Sequence, residues 1–85
     1  MSYKIFLKKS AQKSLNKLPI EITKLIESTI DSLSDNPHPT NSKKLSGFMN
    51  VYRVRVSNYR IIYEVKDTKL EILVIKIAHR KDVYN

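Results

Sequence analysis

Midway along the chain the spacing of apolar residues changes from helical to alternating. Ile22, Leu25, Ile26, Thr29, Ile30 and Leu33 recur at helical spacing for about three turns. From Val51 onward the period is two. "VYRVRV" and "YRIIYEV" flank Ser57-Asn58, and "LEILVIKIA" follows a turn at 67–69. The last run is apolar on both faces, as a strand in the middle of a sheet requires. Ahead of the helical stretch, "YKIFL" reads as a short strand with Tyr3, Ile5 and Leu7 on one side. Ser10 then caps a short helix through Ala11, Leu15 and Leu18. Pro19 suits the first turn of the second helix, Glu21 favours its N-terminal end, and Pro37 in "DNPHP" stops it. Residues 36–50 form a polar connection with two of the three prolines and the only glycine. The expected order is β-α-α-β-β-β, an α+β fold. A helical hairpin packs on one face of a small antiparallel sheet and the other face stays free.

At 85 residues, the chain has the length of a single domain (1–85) with one modest core. It contains no cysteine, so neither disulfides nor thiolate metal sites support the fold. The opening "MSYKIFLKKS" is too short and lysine-rich for a signal peptide. No apolar run approaches the roughly 18 residues needed to span a bilayer. A cytoplasmic protein is expected. Sixteen Lys and Arg against eight Asp and Glu give a net charge of +8. That charge favours polyanionic partners, nucleic acid ahead of a membrane surface, with simple solubility as the plainer alternative. The arginines are segregated: Arg53, Arg55, Arg60 and Arg80 all lie in the second half, whereas lysines run from Lys4 to Lys81. Arginine's planar fork suits bidentate phosphate contacts, so the segregation points to a site in that half.

Strand parity sets Tyr52, Val54 and Val56 on one face of the first hairpin strand, with Val51, Arg53 and Arg55 on the other. In the second strand, Tyr59, Ile61, Tyr63 and Val65 oppose Arg60, Ile62 and Glu64. The Tyr/Val/Ile faces must meet the helices, so the arginines point away from the core. With Ser57-Asn58 as a two-residue turn, in which Asn58 tolerates the left-handed conformation, Arg55 falls opposite Arg60. Arg53 then lies opposite Ile62, diagonal to Arg60 and Glu64. Like charges directly opposed on a sheet cost up to about 1 kcal/mol. Either the arginines splay into solvent with Glu64 compensating, or the forks converge on a phosphate that relieves their repulsion.

"VYRVRVSNYRIIYEV", followed by a hydrophobic strand and "HRKDVY", resembles the RelE family of bacterial toxins. A helix hairpin ending in "KLP" and the "KKLSG" segment fit the same pattern, so the resemblance covers essentially the whole chain. It implies a RelE-like toxin of a type II toxin–antitoxin system. Such a toxin is a metal-independent, cofactor-free endoribonuclease that cuts mRNA in the ribosomal A site. The 2′-hydroxyl attacks the adjacent phosphate, leaving a 2′,3′-cyclic phosphate and a 5′-hydroxyl. A cognate antitoxin wraps and blocks the toxin, which is monomeric when free and hetero-oligomeric with its antitoxin.

Laid on the family pattern, Arg53 and Arg55 occupy two alternate basic positions, the second linked to charge stabilisation and activation of the 2′-hydroxyl. Arg60 matches the arginine that clamps the scissile phosphate, Arg80 one that assists the departing 5′-oxygen, and Tyr84 one that stacks on a nucleotide. Some members carry lysine where this chain has arginine. Arginine stays protonated below a pKa of about 12, so positioning and charge stabilisation fit these residues better than proton abstraction.

Other residues are open to two readings. His79, beside the basic face by strand parity, either serves as a general acid or base or merely ends the strand. Lys81, Lys43 and Lys44 are candidate contacts to RNA backbone, the alternative being solvated lysines. Glu64 fits a partner for Arg53 better than a general base. His38, inside "PHP", reads as loop surface, and two separated histidines make no metal site. A helix face with Lys13, Lys17 and Lys24 suits an acidic antitoxin segment. Two other functions compete with the nuclease: a ParE-like toxin that inhibits DNA gyrase by binding, and a non-catalytic RNA-binding module.

Overall fold

Two helices lie on one face of a five-stranded sheet in the computed structural model, which describes residues 2–83. The elements are β1 (Lys4–Leu7), α1 (Lys9–Asn16), α2 (Ile20–Leu33), β2 (Ser42–Lys44), β3 (Val51–Val56), β4 (Tyr59–Lys66), β5 (Glu71–His79) and α3 (Arg80–Val83). The expected α+β architecture, with a helical pair on one sheet face, is the one observed.

Helix α1 starts two residues earlier than the sequence suggested. Lys8 stands at its N-cap with no side-chain bond, and Ser10 lies inside the first turn. Pro19 directly precedes α2, where its missing N–H has no helical acceptor to lose. Its carbonyl accepts the N–H groups of Ile22 and Thr23. The Thr23 hydroxyl bonds the carbonyls of Leu15 and Leu18, tying the end of α1 to the start of α2. Beyond Leu33, the N–H groups of Ser34, Asp35 and Asn36 fold back onto Asp31 and Ser32 before Pro37.

Ala11 and Leu15 of α1 and Ile26, Ile30 and Leu33 of α2 pack on Val54, Val56, Ile61, Tyr63, Val65, Ile72, Val74 and Ile77. Leu25, on the edge of the helical stripe, is left exposed. Losing a large side chain from such a core costs about 2–5 kcal/mol. No helix among the described residues is long and apolar enough to cross a membrane.

The strand order is β1-β5-β4-β3-β2. Three features depart from a simple antiparallel meander. First, β1 runs parallel to β5, so the sheet is mixed. The chain leaves β1 through the helices, and such a crossover allows a parallel return. Second, the 36–50 connection contains β2, paired antiparallel to β3. Third, β5 carries a bulge: Ile62 pairs with Lys76 but Tyr63 with Val74, leaving Ile75 as the extra residue. One inserted residue flips the facing of everything beyond it. Ile77 and His79 therefore join the helix-covered face, the reverse of the parity expectation for His79.

Candidate active site

The uncovered face of β2, β3 and β4 gathers the cations. Val56 pairs with Tyr59 across Ser57-Asn58, and Arg55 stands directly opposite Arg60. Arg53 faces Ile62, one diagonal from Arg60 and from Glu64. The hairpin register is the one read from the sequence. Its turn differs: Ser57, not Asn58, takes the left-handed conformation, with φ of 55°. The Asn58 carbonyl instead accepts the Arg80 N–H at 2.8 Å.

Strand β2 adds a second like-charged pair. Lys43 sits opposite Arg53, on the arginine face. Lys44, opposite Tyr52, belongs to the other face. The lysine pair is therefore split by strand alternation, and only Lys43 joins the arginines.

These residues form a hollow of about 100 Å³ lined by Asn41, Lys43, Arg53, Arg55 and Arg60. Arg60, in the interior strand β4, is only 8% exposed, an unusual location for a charged side chain. Its cross-strand neighbour on the other side is Ala78, whose small side chain leaves it room. A larger groove of about 470 Å³ lies between β1 and the helices, but Ile5, Leu15, Glu27 and Asp31 there give it an apolar and acidic lining. Size alone does not pick the site. The cationic hollow is the one whose chemistry suits a phosphate.

The loop that delivers Asn41 and Lys43 is pinned from the opposite face. The buried Tyr63 hydroxyl donates to the Pro37 carbonyl at 2.7 Å. Burial pushes the Tyr63 phenol above its usual range, partly offset by a hydrogen bond with Ser42. It therefore remains a neutral donor. Tyr52 stacks on Tyr63 with centroids 5.9 Å apart and meets His38 at 4.6 Å. His38 is thus exposed loop, as read, but rests on a tyrosine. Ser42 closes the segment through bonds from its hydroxyl and N–H to the Pro39 carbonyl.

Arg80 opens α3 with an exposed side chain at the turn end of the hairpin. His79 pairs with Tyr59 on the helix face, their rings edge-on at 5.3 Å, and its Nδ1 accepts the Lys81 N–H. Lys81 is exposed. The structure thus brings together Lys43, Arg53, Arg55 and Arg60, places Arg80 and Lys81 at the hairpin end, and turns Lys44 and His79 to the other face. Tyr84 lies outside the described residues. Asn41, absent from the sequence reading, also lines the hollow, and its Nδ2 donates to the Arg55 carbonyl at 3.3 Å. Its position two residues before Lys43 would have exposed it had β2 been recognised.

Arginine and lysine only donate hydrogen bonds, and arginine keeps its charge across the physiological range. The four such side chains that line the hollow among the described residues can bind and polarise an anion. Residues 5–84 match a family model described as the ParE toxin of type II toxin–antitoxin systems, parDE. Toxin RelE3 of Methanocaldococcus jannaschii is 38% identical over 96% of each chain. A putative RelE-like toxin protein of Escherichia coli is 34% identical over 100% of this chain and 93% of its own. Among solved structures, the archaeal RelE-RelB complex from Pyrococcus horikoshii superposes with a TM-score of 0.85. It is 29% identical and covers 94% of this chain and 97% of its own. The chain belongs to the RelE family of type II toxin–antitoxin toxins, within the RelE/ParE superfamily.

Proposed function

We propose that the protein is a ribosome-dependent endoribonuclease that cuts mRNA in the A site and is held inactive by a cognate antitoxin. The observation that carries this reading is the register placing Arg55 opposite Arg60, beside Arg53 and Lys43, on a sheet face the helices leave open. Such repulsion weakens a hairpin and is relieved by a bound phosphodiester.

In the proposed reaction the 2′-hydroxyl attacks the neighbouring phosphorus and gives its proton to water, while the P–O5′ bond breaks and the 5′-oxygen leaves, taking a proton from water to end as a 5′-hydroxyl. Negative charge builds on the phosphoryl oxygens. Arg60, nearly buried, clamps them, while Arg55 and Arg53 share the developing charge. Preorganised cations of this kind act where charge appears in the transition state. Arg80, tethered through its N–H to Asn58, stabilises the departing oxygen from the turn end. Lys43 and Lys81 steer the RNA backbone, and Tyr84 stacks on a base, a contact worth about 1–3 kcal/mol. Among the described residues, the side chains lining the hollow are four cations and one amide. This fits an enzyme whose substrate is aligned by the ribosome and whose own part is electrostatic. The antitoxin partner follows from relatives solved as RelE-RelB complexes.

One observation favours a second reading: the matching family model is described by ParE. That reading makes the chain a gyrase inhibitor acting by binding. Mapping mRNA 5′ ends on translating ribosomes by primer extension, beside a supercoiling assay, separates the two. A-site cuts with unchanged supercoiling are expected. Intact mRNA with inhibited supercoiling would overturn the nuclease in favour of the inhibitor.

A further inference from the structure

The cationic hollow is almost purely a donor surface. Lys43, Arg53, Arg55 and Arg60 present N–H groups and no acceptor. Among the described residues, Asn41 is the one lining side chain that carries one. Its orientation is fixed by chemistry. The Arg55 carbonyl takes a hydrogen bond from Nδ2, and turning the amide over would set two carbonyl oxygens against each other. With Nδ2 held by β3, Oδ1 is the atom left to serve a ligand. The segment behind it is braced by the buried Tyr63–Pro37 bond and by Ser42 on Pro39, so this acceptor is presented from a fixed support.

A phosphodiester alone has no use for an acceptor, because its non-bridging oxygens only accept. The neighbouring ribose does: its 2′-hydroxyl is both donor and acceptor and is the group that distinguishes RNA from DNA. We infer that Asn41 is a specificity residue whose Oδ1 accepts the hydrogen bond of the 2′-hydroxyl next to the phosphate in the hollow. The inference rests on the proposed reading of the hollow as an RNA phosphate site. It adds what selects ribose there. Asn41 does not take the proton. It fixes the hydroxyl's direction and leaves the oxygen lone pairs toward phosphorus.

The test is binding without turnover. The affinity of the full chain for a short single-stranded RNA is measured by fluorescence anisotropy. The same measurement is made on the 2′-deoxy and 2′-fluoro versions, for wild type, Asn41→Ala and Asn41→Leu. Fluorine accepts but cannot donate, so it deletes only the bond in question. Wild type is expected to prefer RNA by about fivefold over both analogues, the worth of one hydrogen bond, and both variants to bring that ratio near one. Loss of the tether to Arg55 would weaken all three ligands alike, so the ratio isolates ribose recognition from support of the strand. An RNA preference that survives both substitutions would overturn the inference, as would 2′-fluoro RNA bound as well as RNA, or no preference in wild type. Because nothing is cleaved in this assay, failure of the nuclease reading shows in the ribosome experiment and not here.

Discussion

Replacing Arg55 by glutamine should make this protein more stable while weakening its function. Arg55 and Arg60 are direct cross-strand partners, and Arg55 is the exposed member. Opposed residues place their Cβ atoms about 4.5–5.5 Å apart, and a separation of roughly 7 Å, the diagonal spacing, represents guanidinium heads that splay. At that distance two unit charges repel by about 0.6 kcal/mol in a water-like dielectric and by about 2.4 kcal/mol at an effective value of 20. Because Arg55 is solvated, the lower end applies, with a further fraction from Arg53 on the same strand. The expected gain for Arg55→Gln is about 1 kcal/mol, or a rise in Tm of about 4–8 °C for a domain of this size. Glutamine keeps most of the length and polarity, so packing is little changed. Thermal melts followed by circular dichroism in about 10 mM and about 1 M salt supply the check, since the screening length falls from about 30 Å to about 3 Å over that range. The stabilisation should appear at low salt and vanish at high salt. A variant no more stable than wild type at low salt would refute the repulsion argument. So would a gain that ignores salt.

Two further predictions concern the supports of the site. Burial raises the Tyr63 phenol, so the fold favours its protonated form. That contribution is complete below the unfolded value near 10 and is lost as pH climbs through the raised folded value. Tyr63→Phe should cost about 1–3 kcal/mol at neutral pH by stranding the buried Pro37 carbonyl, yet lose stability less steeply above about pH 10. Melts across that range check it, and parallel declines would count against it. Ser57, a non-glycine residue at φ of 55°, should accept glycine with a gain of about 0.5–1 kcal/mol, whereas Ser57→Val should lower Tm, because branched side chains fit that region poorly.

The hairpin was legible because its evidence is local. Alternation fixes which face Arg53, Arg55 and Arg60 share, and a two-residue turn fixes the pairing of Arg55 with Arg60. The facing of His79 was not, because the bulge at Ile75 lies in a run apolar on both faces, where one inserted residue leaves no break in the pattern. Strand β2 was equally hidden. Three residues are too few to show a period, and Ser42–Lys44 pairs because Tyr63, Tyr52 and Pro37 hold its loop from the far side. With β2 unseen, the Lys43–Arg53 pair and Asn41 were beyond reach. The parallel pairing of β1 is likewise set by where the helices carry the chain and not by any residue within β1.

The central claim is that the Arg53–Arg55–Arg60 hollow holds the phosphate being cut. Single-turnover cleavage of A-site mRNA on programmed ribosomes, with the product ends identified, tests it most directly. Wild type should yield a 2′,3′-cyclic phosphate and a 5′-hydroxyl. Arg60→Ala should slow the reaction by about 10²–10³-fold, the usual loss on removing one transition-state donor. His79→Gln, altered on the helix-covered face, should stay close to wild type. Cleavage that persists at the wild-type rate in Arg60→Ala, or collapses only in His79→Gln, would contradict the account.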